Sequence, residues 1–303
     1  MHNVLISTFR RLLRVTLASD GSLLGCEVVA EGRGIYFGLA RAGRAVFVAE
    51  RNLDIDRHKM MPRAPENVIR AYLQLPGGSV LPTPIHYSSR SFDDLHQITV
   101  DRHALFVTSG KYPFLFRQSL WGGRAQPVNV ASVVPDRLQK QNVQGRDAYH
   151  FNSVSVDGDS LLVLAHNWDS PSFALRLSLS AARSGRAQLI QCYEDIGSCC
   201  HDILAVGGAI WSLDSGGSAL VKIDRWSGVR QRFALLSSVG DPFPRGLAML
   251  KNMLLVSYGL RSEERAGRMN GSSMLAVFDL KHERFTRHIT LGAHGNTCAI
   301  LSV

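Results

Sequence analysis

The chain has 303 residues, of which 45% are hydrophobic and 19% are charged, with a net charge of +9 and a mean hydropathy of +0.00. This composition excludes an intrinsically disordered chain, and no apolar run approaches the roughly 18 residues that a membrane-spanning helix needs. The arginines that dominate the charge are scattered along the chain and no nucleic-acid-binding motif is present, so nucleic acid is not expected as a partner.

The cysteines and the N-terminus bear on the cellular location. There are five cysteines, an odd number that includes the adjacent pair Cys199 and Cys200, and none belongs to a CxxC motif. Reduced thiols, rather than a disulfide framework, are therefore expected. The opening segment MHNVLISTFRRLLRV places its arginines after a short β-like run, which is the opposite order to a secretory signal. We therefore expect a cytoplasmic protein that does not associate with membranes.

In chain order, short runs of β-branched and aliphatic residues follow one another, separated by Gly, Asp, Ser and Asn. These runs predict strands joined by tight turns. A strand–turn–strand pattern recurs along the chain at 34–51, 95–110, 149–167, 200–216 and 244–259. Corresponding positions in the copies are spaced by about 44 to 59 residues, and a repeat of this length built from four short strands is typical of a propeller blade.

The two ends of the chain determine the number of blades. The last segment, 293–303, has the pattern of an innermost strand alone, whereas the first segments, 3–9, 11–17 and 23–29, have the pattern of outer strands alone. Pairing them completes one blade, closes the ring and removes exposed sheet edges. The sequence therefore predicts an all-β, six-bladed β-propeller that forms a single domain over residues 1–303.

Two segments also carry a family resemblance. The segments HDILAVGGAIWSLDSGGSAL (201–220) and FPRGLAMLKNMLLVSYGLRSEER (243–265) resemble six-bladed propellers of the gluconolactonase/regucalcin and strictosidine-synthase type. They are more similar still to a bacterial group of uncharacterised propeller proteins. The lactonases hold a divalent metal at the axis with Glu, Asn and Asp, whereas the matching positions here are mostly histidine. The resemblance thus implies the fold and does not carry over the lactonase metal or activity.

Histidine is frequent where the innermost strands begin. In a propeller these strands start at one mouth of the central channel and the second strands return to it, so residues distant in sequence should meet there. Three or four imidazoles that converge on an axis are a suitable ligand set for a transition metal. We therefore predict a divalent Fe, Mn or Zn ion held by His96, His150, His201 and His294.

Other polar residues at this mouth are predicted to act on the substrate. The guanidinium of Arg245 would hold a carboxylate or phosphate through two hydrogen bonds. Either Tyr149 or His166 would act as the base, and all three are predicted catalytic residues. The predicted substrate contacts are Asn152, Asp202, Asn296, Arg261 and Asp214.

The strand register leaves two pairs of candidates open. Either His150 or Asn152, and either His294 or Asn296, could point towards the axis. Two longer connections, 52–66 and 260–272, leave the ends of second strands and are predicted to overhang the mouth, where loops on a rigid scaffold often bind substrates or partners.

These observations predict a metal-dependent enzyme acting on a small anionic substrate. A lyase or epimerase is favoured over an oxygenase because Arg245 offers a place for a carboxylate. The alternative is a non-catalytic propeller that binds a small molecule, peptide or protein over its mouth. Histidines that are purely structural, as in WD-type propellers, are a further interpretation. Motifs for nucleotide cofactors and for serine hydrolysis are absent from the sequence.

Overall fold

A computed structural model describes residues 1–51, 67–89, 92–140 and 148–303. Within these ranges the strands form six antiparallel sheets of four strands each, arranged as the blades of a β-propeller. The predicted all-β, six-bladed propeller is therefore confirmed. The predicted loop 52–66 lies outside the described residues.

The first half of the chain contains the strands β1 (His2–Thr8), β2 (Arg11–Leu17), β3 (Leu23–Glu31), β4 (Ile35–Ala42), β5 (Ala45–Arg51), β6 (Val68–Gln74), β7 (Val80–Ser88), β8 (Leu95–Asp101), β9 (Ala104–Ser109), β10 (Phe114–Ser119) and β11 (Gln126–Asn129). The second half contains β12 (Phe151–Asp157), β13 (Ser160–Ala165), β14 (Phe173–Ser178), β15 (Leu189–Tyr193), β16 (His201–Val206), β17 (Ala209–Asp214), β18 (Ala219–Asp224), β19 (Arg230–Ala234), β20 (Pro242–Leu250), β21 (Met253–Leu260), β22 (Ser273–Asp279), β23 (Arg284–Gly292) and β24 (Thr297–Ser302). The α-helices are α1 (Leu179–Arg183) and α2 (Arg265–Asn270), and single 3-10 turns span Pro76–Gly78, Ala131–Val133 and Asp136–Leu138.

The blades follow the chain in order, with one exception at the ends. From the channel outward, five blades consist of four consecutive strands, whereas the sixth has the order β24-β1-β2-β3. Strand β24 pairs antiparallel with β1, from Val4 opposite Ser302 to Thr8 opposite Thr297. The predicted closure of the ring by the two chain ends is thus confirmed, and it leaves no innermost strand without a partner.

Tight turns set the hairpin geometry of the blades. In the blades built from consecutive strands, two residues join the innermost strand to the second strand. In one such turn, Gly207 and Gly208 both have positive φ, 60° and 81°. A two-residue turn of this hand matches the twist of the flanking strands, and glycine adopts it without steric cost.

Aromatic side chains fill the spaces between adjacent blades. Trp211 on β17 is 2% exposed and packs against Phe278 on β22, with 5.6 Å between the ring centroids. Such contacts fix each blade relative to the next and so fix the geometry of the channel mouth. No helix in the described part of the chain is long and apolar enough to cross a membrane.

Candidate functional site

A cavity of about 570 Å³ opens at the mouth of the channel. The innermost strands begin there and the second strands of the blades end there, as the sequence predicts. Its lining combines histidine, arginine and phenylalanine with a few other polar side chains, and α2 and the residues before it form part of the rim. The connection 260–272 therefore lies over the mouth.

Aromatic rings and one guanidinium form a closed circle around this cavity. Neighbouring members are 4.7 to 6.0 Å apart, measured between ring centroids or from the guanidinium carbon to the centroid. In order, the circle contains Phe37, His96, His150, His166, His201, Phe243, Arg245 and Phe9. One half of the mouth is thus lined by imidazoles and the other half by phenyl rings and a cation.

Three side chains in the imidazole half converge closely enough to share a metal ion. One ligand atom from each of Asp94, His96 and His150 lies within 4.8 Å of the others. Two histidines of this group were predicted as ligands, whereas Asp94 was not. Its sequence signal is weak, a single aspartate two residues before His96 at the entry to β8.

Hydrogen bonds to backbone carbonyl oxygens fix the tautomer and the ring orientation of His96 and His150. Nδ1 of His96 donates to the Asp94 carbonyl oxygen at 2.8 Å, and Nδ1 of His150 donates to the Gly110 carbonyl oxygen at 3.2 Å. A carbonyl oxygen can only accept, so Nδ1 carries the hydrogen in both rings and Nε2 keeps its lone pair. This is the usual arrangement around metal-binding histidines, because the second hydrogen bond sets the tautomer and the ring orientation.

The Asp94 carboxylate is shared between two neighbours. Its Oδ1 forms an ion pair with Arg51, while Oδ2 faces Gly110 and the two imidazoles. Burial alone would raise the pKa of Asp94, but the positive charges of protonated His96 and of Arg51 outweigh burial and lower it below the usual value. The carboxylate is therefore ionised at neutral pH and can act as a ligand.

The backbone at the mouth is unusual at several of these positions. Asp94 and His150 have φ values of 54° and 50°, in the left-handed region that residues with a Cβ rarely adopt. A β-bulge between Phe151 and Ser153 shifts the register directly after His150. Register shifts also occur near the start of the innermost strands β4, β8, β16 and β20, so the bulge recurs in the fold and re-aims side chains at the mouth.

The bulge also resolves the first open pair. His150 lines the cavity. Asn152 lies deeper, at the narrow part of the channel, where its Nδ2 donates to the Cys200 carbonyl oxygen at 2.9 Å. Asn152 thus connects adjacent blades and does not line the large cavity.

In the second open pair, Asn296 and not His294 faces the cavity. Asn296 lines the cavity, and its Nδ2 donates to the Leu260 carbonyl oxygen at 2.8 Å. His294 does not line it, because Nδ1 accepts from Arg11 at 2.8 Å and Nε2 donates to the Leu291 carbonyl oxygen at 3.1 Å. Both ring nitrogens are engaged, so His294 lies apart from the ligands with which it was predicted to act.

The remaining two histidines of the circle differ in tautomer. Nδ1 of His201 donates to the Cys199 carbonyl oxygen at 2.8 Å, which leaves Nε2 with a lone pair. Nδ1 of His166 instead accepts from the backbone N–H of Trp168 at 3.2 Å, so its Nε2 carries the hydrogen. His201 can accept a hydrogen bond in the cavity, whereas His166 can donate one.

Burial keeps all four imidazoles of the circle neutral. It lowers the pKa of His96 and of His166 to about 3, and it also lowers the pKa of His150 and of His201. Neutral imidazole is the form that binds metals. Burial also lowers the pKa of Arg245, to about 10, which leaves the guanidinium charged at neutral pH.

Two predicted site residues do not reach the cavity. Tyr149 stacks on Phe151 with 5.4 Å between centroids, in the core between blades, and its hydroxyl accepts from the backbone N–H of Lys140 at 3.1 Å. The carboxylate of Asp214 is buried under the mouth, where it accepts from backbone N–H groups and forms an ion pair with Arg232. The first residue belongs to the core, and the second supports a loop.

Two other predicted contacts have different surroundings. Arg261 does line the cavity, although its Nε donates to Asp241 at 2.5 Å. Asp202 lines a separate cavity of about 380 Å³ towards the opposite end of the channel. There it accepts from the backbone N–H groups of Ile203 at 2.9 Å and Leu247 at 2.7 Å, and burial raises its pKa to about 7.

Comparisons with known proteins support the fold. Neither the family models nor the curated proteins compared with this chain include a match. Similar solved structures include a chain of a nidogen/laminin complex, with a TM-score of 0.68 and 11% identity over 99% of this chain and 97% of that one. A protein of unknown function from Bacteroides caccae has a TM-score of 0.61 and 9% identity, covering 100% and 98%. A putative 6-phosphogluconolactonase from Bacteroides fragilis has a TM-score of 0.58 and 12% identity, covering 100% and 98%.

These similarities define the class of protein as a β-propeller. At such low identities they extend to the fold alone, and a place among the gluconolactonase/regucalcin propellers is not shown. The chemistry of this chain therefore depends on the residues of its own mouth cavity.

Proposed function

We propose that this propeller is a metal-dependent enzyme whose Asp94, His96 and His150 hold a divalent Fe, Mn or Zn ion. The observation that carries the proposal is the convergence of their ligand atoms within 4.8 Å, with both imidazoles fixed in the ligand tautomer. Two histidines and one carboxylate are a donor set found in catalytic Zn and non-haem Fe sites, where open coordination positions remain for substrate.

The surroundings of Arg245 support the proposal that the substrate is small and anionic. Its guanidinium carbon lies 5.6 Å from the Phe9 ring and 5.1 Å from the Phe243 ring, and it has no ion-pair partner among the described residues. A planar guanidinium held between two rings presents its fork to a carboxylate or phosphate with little loss of side-chain freedom. The metal and the substrate anion would thus occupy opposite halves of one cavity.

We favour a lyase or epimerase reaction over an oxygenase reaction. A bound metal would act as a Lewis acid that makes a proton next to a carboxylate more acidic. His201, with its lone pair on Nε2, would accept that proton, and an anionic substrate beside it would raise its pKa towards the working range. His166, with a hydrogen on Nε2, would donate. This assignment moves the role of base from Tyr149 and His166 to His201.

Metal titration tests the site. The metal-stripped protein is titrated with Zn²⁺ and with Mn²⁺ by calorimetry, in parallel with His150→Ala and His294→Ala. The second variant is a matched control, because it removes an imidazole outside the cavity. We expect one ion per chain in wild type and His294→Ala, and an affinity at least about 100-fold lower in His150→Ala. Equal binding by all three proteins would contradict the site.

Proton exchange tests the reaction class. The metal-loaded protein is incubated in D₂O with small hydroxy acids and uronic acids, and NMR detects deuterium at the carbon next to the carboxylate. Metal-dependent exchange that His201→Ala abolishes supports the lyase or epimerase assignment. Oxygen consumption would indicate an oxygenase instead, and anion binding without turnover would indicate a binding propeller.

A further inference from the structure

The described residues that line the mouth cavity carry more positive than negative charge. Among the described residues, five arginines line it, against two carboxylates. The arginines are Arg51, Arg245, Arg261, Arg265 and Arg268, and the carboxylates are Asp94 and Glu263.

Ion pairs account for only part of the arginine charge. Arg51 pairs with Asp94, and Arg261 pairs with Asp241 outside the lining. Within the described ranges, neither Arg245 nor Arg268 has an ion-pair partner. A guanidinium removed from bulk water without a counter-charge is unfavourable, so a ligand that supplies the negative charge would be bound strongly.

Arg268 also has an unused donor. Its Nη2 donates to the Glu263 carbonyl oxygen at 2.7 Å, which anchors the side chain over the mouth. Its Nε is buried and has no hydrogen-bond partner among the described residues. Buried donors of this kind are usually satisfied, and a ligand oxygen would reach this one only after a movement of the Arg268 side chain.

Three of the arginines that line the cavity also lie near the buried Cys298 side chain. Arg51, Arg245 and Arg268 are all close enough to the Cys298 thiol to oppose the effect of burial on its pKa. Burial nonetheless raises the pKa of Cys298 to about 12, so the thiol is neutral and does not supply the missing charge. We call these three arginines the arginine pocket.

We propose that the arginine pocket binds the phosphate group of a phosphate monoester, with Arg245 and Arg268 as its principal ligands. A phosphate group concentrates two charges and three terminal oxygens in one place, which suits several guanidinium groups that line the same cavity. A dicarboxylate would separate its charges by the length of its carbon chain. The inference names the substrate class of the proposed function and rests on that assignment of the cavity as the ligand site.

The test uses metal-stripped protein, so that phosphate cannot bind through the metal. Calorimetric titrations at low ionic strength use inorganic phosphate, with succinate and acetate as dianion and monoanion comparisons. The variants are Arg245→Gln, Arg268→Gln and Arg245→Lys. Arg284→Gln is the matched control, because it removes the same charge from an exposed position on β23 outside the cavity.

We expect phosphate to bind wild type and Arg284→Gln equally. Binding should weaken about tenfold or more in Arg245→Gln and Arg268→Gln, as for the loss of a charge-assisted hydrogen bond. Arg245→Lys should fall in between, because it keeps the charge and loses the fork. This variant keeps the test informative if Arg245→Gln does not fold.

Two results would overturn the inference. One is equal binding of phosphate by wild type and all variants, and the other is tighter binding of succinate than of phosphate. Failure of the proposed function is distinguishable from both. Phosphate binding that depends on Arg245, in a protein that takes up no metal, would refute the metal site and support the arginine pocket.

Discussion

Gly110 is the position where a single added carbon should disrupt the metal site most directly. It follows β9 and lies against the three proposed ligands. A Cβ at this position would lie 2.5 Å from Cε1 of His150, 2.7 Å from Cε1 of His96, and closer still to Oδ2 of Asp94. The substitution Gly110→Ala therefore pushes against every ligand of the group at once.

The expected effect follows from these distances. Carbon atoms in contact are normally about 3.5–4.0 Å apart, so each ring would have to retreat by roughly 1 Å. Metal–ligand distances tolerate only about 0.2 Å, so the site could not keep its ligands in place. We expect Zn²⁺ and Mn²⁺ affinity to fall about 100-fold, and overpacking to lower the free energy of unfolding by about 1–3 kcal/mol.

The assay is calorimetric metal titration, with thermal unfolding followed by circular dichroism as a check on the fold. Gly25→Ala is the matched control, because Gly25 on β3 has ordinary φ and nothing within 4 Å of its added Cβ. Undiminished metal binding by a folded Gly110→Ala protein would refute the assignment of Asp94, His96 and His150 as a joint ligand set.

Three further predictions concern stability. Saturating Zn²⁺, at about 100 times its Kd, should stabilise wild type by about 2.7 kcal/mol in urea unfolding, and no such gain should occur in His96→Ala. Metal-free protein should lose stability as the pH falls below about 6.5. In the unfolded chain His96 and His166 take up protons in this range, whereas in the folded protein burial lowers their pKa to about 3 and they do not. Each of the two histidines therefore lowers the free energy of unfolding by about 1.4 kcal/mol per pH unit. The pKa of Asp202 is raised to about 7 in the folded protein, so proton uptake by Asp202 stabilises the folded state as the pH falls over this range. This gain only partly offsets the loss of stability from the histidines. Unfolding curves that do not change between pH 7 and pH 5 would contradict this prediction. Trp211→Ala should lower stability by about 3–5 kcal/mol without changing metal stoichiometry, because it empties the interface between blades and leaves the mouth intact.

The fold was predictable because each blade repeats one pattern of short apolar strands and tight turns. The closure was predictable too, since 293–303 lacks outer strands and the N-terminal segments lack an inner one. The repeat also indicated which residues begin the inner strands, which is why His96, His150, His201 and Arg245 were all placed at the mouth.

The details of the site were not predictable, because they depend on local backbone irregularities. A bulge after His150 turns Asn152 away from the large cavity, and strict alternation along a strand cannot reveal such a shift. His294 is separated from the circle by its bonds to Arg11 and Leu291, which only the assembled blade brings near. Asp94 was missed because a lone aspartate before a strand is common in turns.

The most direct test of the metal site is anomalous diffraction from crystals of the stripped protein soaked in Zn²⁺. We expect one strong peak in the mouth cavity, at about 2.0–2.2 Å from a carboxylate oxygen of Asp94 and from Nε2 of both His96 and His150. A map with no peak there, or with its principal peak beside His294 or on the outer surface, would contradict the metal centre.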